Sequence, residues 1–196
     1  MTGPTNHVGI LLFDGVEELD AVGPWEVLAY WTRSYPEDAW SVCLLSADGQ
    51  PVTGAKGMVI GAHHALHAAP ELEVLIHPGG QGTRRLMGDE DHLDWVRAQR
   101  TQVPLMASVC TGALVYAAAG LLRGRPATTY WNSFEELTAT DPSVQPRPGE
   151  RYVDDGDIVT SAGVSAGIDM ALHLVSRLAG QERAVQVRRG IEYDPG

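Results

Sequence analysis

One cysteine, Cys110, lies where its thiol is expected to be reactive. The residues before it, Pro104 to Val109, are apolar enough for a buried strand, and those after it, rich in Ala and Leu, favour a helix. The thiol would then lie at a sharp turn above the positive end of a helix dipole, which lowers the pKa of a cysteine. We expect a nucleophile that ionises near neutral pH and attacks an electrophilic carbon. The alternative is a small apolar side chain that fills a gap in the core.

Three carboxylates, Glu17, Glu18 and Asp20, offer a proton carrier for such a thiol. A carboxyl group held beside the thiol would be desolvated, which raises its pKa and couples its titration to that of the cysteine. From the residues alone, the stronger interpretation is a solvated acidic loop, or a cap for a helix that opens near Gly23 and Pro24. The choice between these roles stays open at this point.

Two segments rich in glycine and small residues complete the candidate site. Pro78 to Gly82 follows an apolar strand and brings backbone N–H groups close to a ligand, because glycine has no Cβ. With the N–H of Thr111 it predicts a pocket that stabilises negative charge. Ser161 to Gly167 is a second small-residue segment that enters a helix, and close packing explains it equally well. Neither segment has the glycine spacing of a nucleotide-binding loop.

The histidines offer no clear catalytic base. His63, His64 and His67 are spaced like metal ligands, but no acidic or thiol ligand joins them, so we expect surface residues and no metal site. His77 ends a central strand beside the candidate site and is the one histidine worth testing there. A packed, hydrogen-bonded role is the stronger interpretation for it.

Strands and helices alternate along the chain, and this pattern must position the candidate residues. Continuous apolar runs are typical of strands covered on both faces; they occur at residues 7–13, 40–45, 72–77 and 104–109. Helical spacing follows most of them, and residues 165–178 form a long amphipathic segment. We predict one α/β domain over residues 1–196, with a mostly parallel central sheet and helices on both faces. Its ligands would bind at the carboxyl ends of the strands, where the candidate loops lie.

Composition and net charge indicate which partners and which cellular location to expect. The chain has 196 residues and a formal net charge of −11, which argues against nucleic acid or an anionic membrane as a partner. Its two cysteines, Cys43 and Cys110, do not form a disulfide framework. The N-terminus, Met1 to Asn6, lacks the features of a secretion signal. We expect a cytoplasmic protein.

Several motifs together resemble the ThiJ/PfpI superfamily of class I glutamine amidotransferase-like folds. They are the Asp14–Asp20 loop, the Pro78-Gly79-Gly80 turn, Ser108-Val109-Cys110-Thr111-Gly112-Ala113, Ala118-Ala119-Gly120-Leu121-Leu122 and Ala166-Gly167-Ile168-Asp169. The resemblance covers essentially the whole chain and is strongest to isocyanide hydratases. It implies a flavodoxin-like sheet, usually dimeric, with Cys110 as nucleophile and Asp20 as the acidic residue beside it.

The same resemblance implies a reaction that needs no metal or organic cofactor. Cys110 would attack the isocyanide carbon while Asp20 delivers a proton, and water would then release an N-substituted formamide. The backbone around Gly79, Gly80 and Thr111 would hold the developing charge, with Gly163 and Val164 closing the pocket.

Departures from the superfamily's pattern keep other activities open. Thr111 stands where protease-like members have histidine, and Tyr130 stands where many relatives have histidine. His77 and Trp25 also differ from the residues we would expect and suggest altered specificity. The alternatives are a glyoxalase-like or deglycase-like enzyme on small carbonyls, and a sensor of ligand or redox state. Because no helix-turn-helix follows the domain in this sequence, we expect no direct role in gene regulation.

Overall fold

The central element of the molecule is a twisted sheet of buried strands. The structure is a computed structural model that describes residues 5–194, so the expectation about the N-terminus concerns residues that lie mostly outside it. In chain order the strands are β1 (Asn6–Leu11), β2 (Trp40–Ser46), β3 (Val52–Thr53), β4 (Val59–Ile60), β5 (His64–Ala65), β6 (Val74–His77), β7 (Leu105–Val109), β8 (Pro126–Ala127), β9 (Gln145–Pro146), β10 (Tyr152–Asp154) and β11 (Ile158–Ser161).

Seven of these strands form one sheet in the order β10-β11-β7-β6-β1-β2-β5. All pairs in it are parallel except β10 with β11, which the turn at residues 155–157 joins as an antiparallel pair. Residues of β6 and β7 are buried throughout, as expected for strands in the middle of a sheet that is covered on both faces. The shorter pairs β3–β4 and β8–β9 lie outside the main sheet.

Helices cover both faces of the sheet. They are α1 (Glu18–Ser34), α2 (Thr83–Leu86), α3 (Glu90–Gln102), α4 (Gly112–Ala118), α5 (Phe134–Thr140), α6 (Ala166–Ala179) and α7 (Gln181–Gly190), with short 3₁₀ turns at Pro36–Asp38 and Leu66–Ala68. Helices α1, α6 and α7 pack together as one layer, and α2 to α5 pack together as the other. The predicted flavodoxin-like α/β fold is confirmed.

The start of α1 differs from the prediction. The sequence places a helix start near Pro24, yet α1 begins at Glu18 and contains Pro24 in its interior. Just before the helix, an antiparallel bridge joins Val16 to Gly80, and the Glu17 N–H donates to the Gly79 carbonyl at 2.9 Å. These contacts hold in place the two residues that precede α1. Proline has no N–H, so the carbonyl four residues earlier, on Asp20, loses its helical donor without ending the helix. Asp20 therefore lies on the first turn of a helix rather than in a loop.

The segment from Asp141 to Glu150 contains β9, which pairs with β8. His64 lies in the edge strand β5, while the His63 Nδ1 accepts a hydrogen bond from the Leu44 N–H at 3.0 Å. Within residues 5–194 no helix is long and apolar enough to cross a membrane. The cytoplasmic location stays a prediction.

Candidate active site

The turn at Cys110 has a strained backbone. Cys110 follows β7 directly and has a φ of +56°, a conformation that non-glycine residues rarely adopt. Its N–H donates to the Ser161 carbonyl at 3.0 Å, and its carbonyl accepts from the Thr129 hydroxyl at 2.8 Å. These bonds to neighbouring segments hold the turn against its strain. The thiol is buried, with 6% of the residue exposed.

Gly112, two residues after Cys110, allows the turn to approach the end of β6. A Cβ at this position would overlap the carbonyl oxygen of His77. Backbone atoms on both sides must then shift, so we expect Gly112→Ala to lower the free energy of unfolding by about 3 kcal/mol. Urea denaturation followed by circular dichroism measures this change.

Gly61→Ala is the matched control for that substitution. A Cβ at Gly61 meets no atom within 4 Å, and its φ is not in the left-handed region. The control is expected to change the free energy of unfolding by less than about 1 kcal/mol. Equal stability of Gly112→Ala and Gly61→Ala would contradict the close approach at Cys110.

Asp20 is the carboxylate that the fold brings to the thiol. It lies on the first turn of α1 and is completely buried. Its Oδ2 accepts a hydrogen bond from the Gly79 N–H at 3.0 Å, whereas its Oδ1 is buried without a hydrogen-bond partner in the described structure. The Cys110 thiol and the Val164 N–H are close enough to favour its ionised form. An unpartnered buried carboxylate oxygen next to a thiol is suited to receive its proton.

Burial dominates the electrostatics of the Asp20 and Cys110 pair. It raises the pKa of Asp20 to about 7, and the charge of Glu17 adds to this increase. Burial, followed by the negative charge of Asp20, raises the pKa of Cys110 to about 12. The prediction that the thiol ionises by itself near neutral pH was therefore wrong. Desolvation of the thiolate outweighs the helix dipole, so the sulfur must give its proton to a neighbour when it reacts.

The glycine loop after β6 supports Asp20 and Thr111 rather than presenting two free donors. A Cβ at Gly79 would lie 2.8 Å from the Asp20 Oδ2, so only glycine fits here. The Gly80 N–H donates to the Thr111 hydroxyl at 2.9 Å and is not free, contrary to the role expected for it. The N–H and hydroxyl of Thr111 lie close enough to Cys110 to favour its thiolate. Thr111 is therefore the better-placed donor for developing charge.

Gly163, Val164 and Tyr130 line the other side of the thiol turn. The Tyr130 ring packs against Gly163, where a Cβ would overlap it. Val164 has a φ of +53°, a second strained position beside Asp20. Tyr130 is half-buried, and its neighbour Trp131 is 74% exposed. The residues predicted for the site thus lie on the loops next to Cys110, except Asp20, which lies on the first turn of α1.

Two residues of this region were missed by the sequence analysis. Thr83 donates its hydroxyl to the Gly80 carbonyl at 2.7 Å and lies 3.2 Å from the Thr111 hydroxyl oxygen. Lys56, on the turn between β3 and β4, forms an ion pair with Glu17 and donates its backbone N–H to Glu18. A threonine directly after a glycine loop was a readable signal, whereas the Lys56 contact spans 39 residues and carries none. Among residues 5–194 no cluster of His, Cys, Asp and Glu is arranged to hold a metal ion.

The chain is similar in sequence to curated proteins of more than one kind. Over 189 residues the chain is 40% identical to the isonitrile hydratase of Pseudomonas putida. The alignment covers 96% of this chain and 79% of that enzyme. The chain is also 31% identical to the HTH-type transcriptional regulator CdhR of Pseudomonas aeruginosa, over 90% of this chain and 52% of the regulator. The domain thus occurs in proteins of different functional classes.

Solved structures show the same fold. A THiJ/PfpI family protein from Pseudomonas syringae superposes with a TM-score of 0.86 at 29% identity, covering 100% of this chain and 77% of that one. Drosophila melanogaster DJ-1beta superposes with a TM-score of 0.84 at 23% identity, over 96% and 98% of the two chains, a likeness of fold alone. The DJ-1/PfpI family profile matches residues 6–177. With its cysteine turn and buried carboxylate, this chain belongs to the DJ-1/PfpI family.

Proposed function

We propose that this protein hydrates isocyanides to N-substituted formamides, with Cys110 as nucleophile and Asp20 as proton carrier. The observation that carries the proposal is the buried pair itself: a thiol whose pKa is raised by burial lies beside a carboxylate with one unpartnered oxygen. The 40% identity to an isonitrile hydratase supports the choice of substrate. No metal or organic cofactor enters the proposed reaction.

The first half of the reaction adds the thiol across the isocyanide carbon. Asp20 takes the proton from the Cys110 sulfur, the sulfur forms a bond to the terminal carbon, and Asp20 returns the proton to that carbon. The product is a thioimidate, in which carbon carries the hydrogen, the sulfur and a double bond to nitrogen. Because burial raises the pKa of Asp20 to about 7, the carboxyl group can both accept and donate at neutral pH.

The second half releases the product. Asp20 removes a proton from water as the water oxygen attacks the thioimidate carbon. Asp20 then passes that proton to the nitrogen. The tetrahedral intermediate then breaks its carbon–sulfur bond while Asp20 carries the hydroxyl proton to the departing sulfur, which leaves a formamide and restores the Cys110 thiol. The Thr111 N–H would stabilise the departing sulfur, and Tyr130 with Gly163 would limit the size of the substituent on nitrogen.

The test is turnover of a panel of alkyl and aryl isocyanides by the reduced protein, with formamide measured by chromatography and mass spectrometry. Cys43→Ala serves as the control, because Cys43 lies on β2 and has no part in the proposed reaction. Formamide production by both proteins is the expected result. No turnover by reduced wild type would contradict the proposal and favour a different small-molecule enzyme of the family or a sensor.

The pH dependence follows from the Asp20 and Cys110 pair. The reactive state holds one proton between the two groups, and a second proton inactivates it. Burial raises the pKa of Asp20 to about 7, so kcat/KM should rise with pH through about 7 and then level off. Initial rates between pH 5 and pH 9 measure this limb. A profile that is flat across this range would argue against Asp20 as the titrating group.

The homodimer implied by the family resemblance stays a prediction. Leu19 on α1 and Met58 and Val59 at the β3–β4 hairpin are apolar and exposed, and Lys56 joins the hairpin to the start of α1. We expect a second copy to cover this surface, so Val59→Lys should shift the protein from dimer to monomer. Size-exclusion chromatography with light scattering gives the mass, and a monomeric wild type would contradict the expectation.

A further inference from the structure

His77, the last residue of β6, lies immediately behind the glycine loop and has both ring nitrogens committed to hydrogen bonds. Its Nδ1 is 2.8 Å from the Pro78 carbonyl oxygen, and its Nε2 is 3.1 Å from the Nε2 of His92 on α3. The ring is completely buried between those of Phe13 and Tyr116. Such a residue cannot serve as the catalytic base, because neither nitrogen is available to a substrate.

These partners assign the protonation of both rings. A carbonyl oxygen only accepts, so the His77 Nδ1 carries the hydrogen. Burial lowers the pKa of His77 to about 3, so the ring is neutral and its Nε2 is an acceptor. The His92 Nε2 must then donate to it. The result is a directed chain of donors that runs from His92 through His77 to the Pro78 carbonyl.

The chain continues to the proposed acid. The carbonyl of Pro78 and the N–H of Gly79 belong to the same peptide group, and that N–H donates to the Asp20 Oδ2 at 3.0 Å. A donor on the oxygen of a peptide group polarises its N–H, which strengthens the hydrogen bond that the N–H makes. His77 thus acts on Asp20 through one peptide plane without touching it.

We propose that His77 is a positioning residue for Asp20: its Nδ1–H polarises and orients the Pro78–Gly79 peptide that binds the carboxylate, and His92 holds the tautomer this requires. The inference deepens the proposed function, since it concerns the group assigned there as proton carrier. It assigns a role to a histidine that the sequence analysis left as a packed strand residue.

His92 connects this chain to solvent. It lines a cavity of about 620 Å³ at the carboxyl ends of β1 and β2, and its ring packs near that of Trp95. Burial lowers the pKa of His92, Asp89 raises it, and Arg85 lowers it further. The other charged groups that line the same cavity are Asp14, Asp48 and Asp91. On the far side, Glu17 and Cys110 are the groups that act on Asp20.

Two substitutions at His77 separate the hydrogen bond from packing. His77→Leu removes the donor, weakens the bond from Gly79 and should raise the pKa of Asp20. His77→Asn keeps an N–H donor near the position of Nδ1 and should restore it. The rate of Cys110 alkylation should increase with pH as Asp20 ionises. We expect the midpoint of this increase to lie about half a pH unit higher in His77→Leu than in wild type, and at the wild-type pH in His77→Asn.

The experiment uses the intact protein and needs no isocyanide. Alkylation of Cys110 by iodoacetamide is followed by peptide mass mapping between pH 5 and pH 10, which separates it from Cys43. In parallel, ¹⁵N-histidine and ¹⁵N-glycine labelling reports the tautomer of wild-type His77 and the hydrogen bond of the Gly79 amide. We expect the Nδ1–H tautomer and a Gly79 proton resonance that moves upfield in His77→Leu but not in His77→Asn.

His92 provides a second pair of variants. His92→Gln keeps a side-chain N–H donor and should behave like wild type. His92→Leu should raise the midpoint pH of Cys110 alkylation, as His77→Leu does, but by a smaller amount. An Nε2–H tautomer in wild-type His77 would overturn the inference, as would equal alkylation profiles of wild type and His77→Leu. None of these measurements depends on isocyanide hydration. They therefore test the role of His77 separately from the proposed function.

Discussion

Cys110→Ala should abolish isocyanide hydration while leaving the fold intact. Removal of the sulfur removes the bond that the proposed reaction forms to carbon, so turnover should fall by at least about a thousandfold. The Cα of residue 110 keeps its strained φ, and the hydrogen bonds that hold the turn come from the backbone of Cys110. Formamide production per active site measures the loss, and circular dichroism checks the fold.

The comparison with Cys43→Ala makes this prediction specific. Cys43 is buried on β2, and burial raises the pKa of its thiol to about 11, so both cysteines are protonated at neutral pH in the resting protein. Only Cys110 has a buried carboxylate beside it. Substantial turnover in Cys110→Ala would contradict covalent catalysis and require water to attack the bound substrate directly.

Asp20→Asn should reduce hydration and at the same time make the thiol easier to ionise. Asparagine keeps the size of the side chain but cannot carry a proton between sulfur, carbon and water, so turnover should fall about 10²- to 10⁴-fold. The negative charge of Asp20 is the second cause of the raised pKa of Cys110. Its removal should lower that pKa, even as activity is lost.

Iodoacetamide alkylation of Cys110 across pH measures this second effect. In Asp20→Asn the increase in alkylation rate near pH 7 should disappear. The remaining increase should follow ionisation of the Cys110 thiol alone, with a midpoint below the pKa of the thiol in the wild type. Glu26→Gln is a matched control, since it removes a carboxylate from the same helix at an exposed position outside the site. Turnover in Asp20→Asn equal to wild type would remove Asp20 from the reaction.

The local features of the fold were readable because they depend on residues that are close along the chain. Continuous apolar runs identified the central strands. The Cys110 turn was likewise visible as a strand that runs into a helix. The start of α1 was not, because the bridge between Val16 and Gly80 that supports it joins segments 64 residues apart in sequence.

The sequence by itself determined the α/β class, the position of Cys110 at a strand-to-helix turn and the family to which the chain belongs. Only the tertiary structure decided the protonation of the site. The burial of Asp20 and Cys110 together, the bond from Gly79 to the carboxylate and the engagement of Gly80 by Thr111 all join residues distant in the chain. Since pKa values depend on desolvation and on neighbouring charges, they follow from these three-dimensional contacts and not from residue type or spacing.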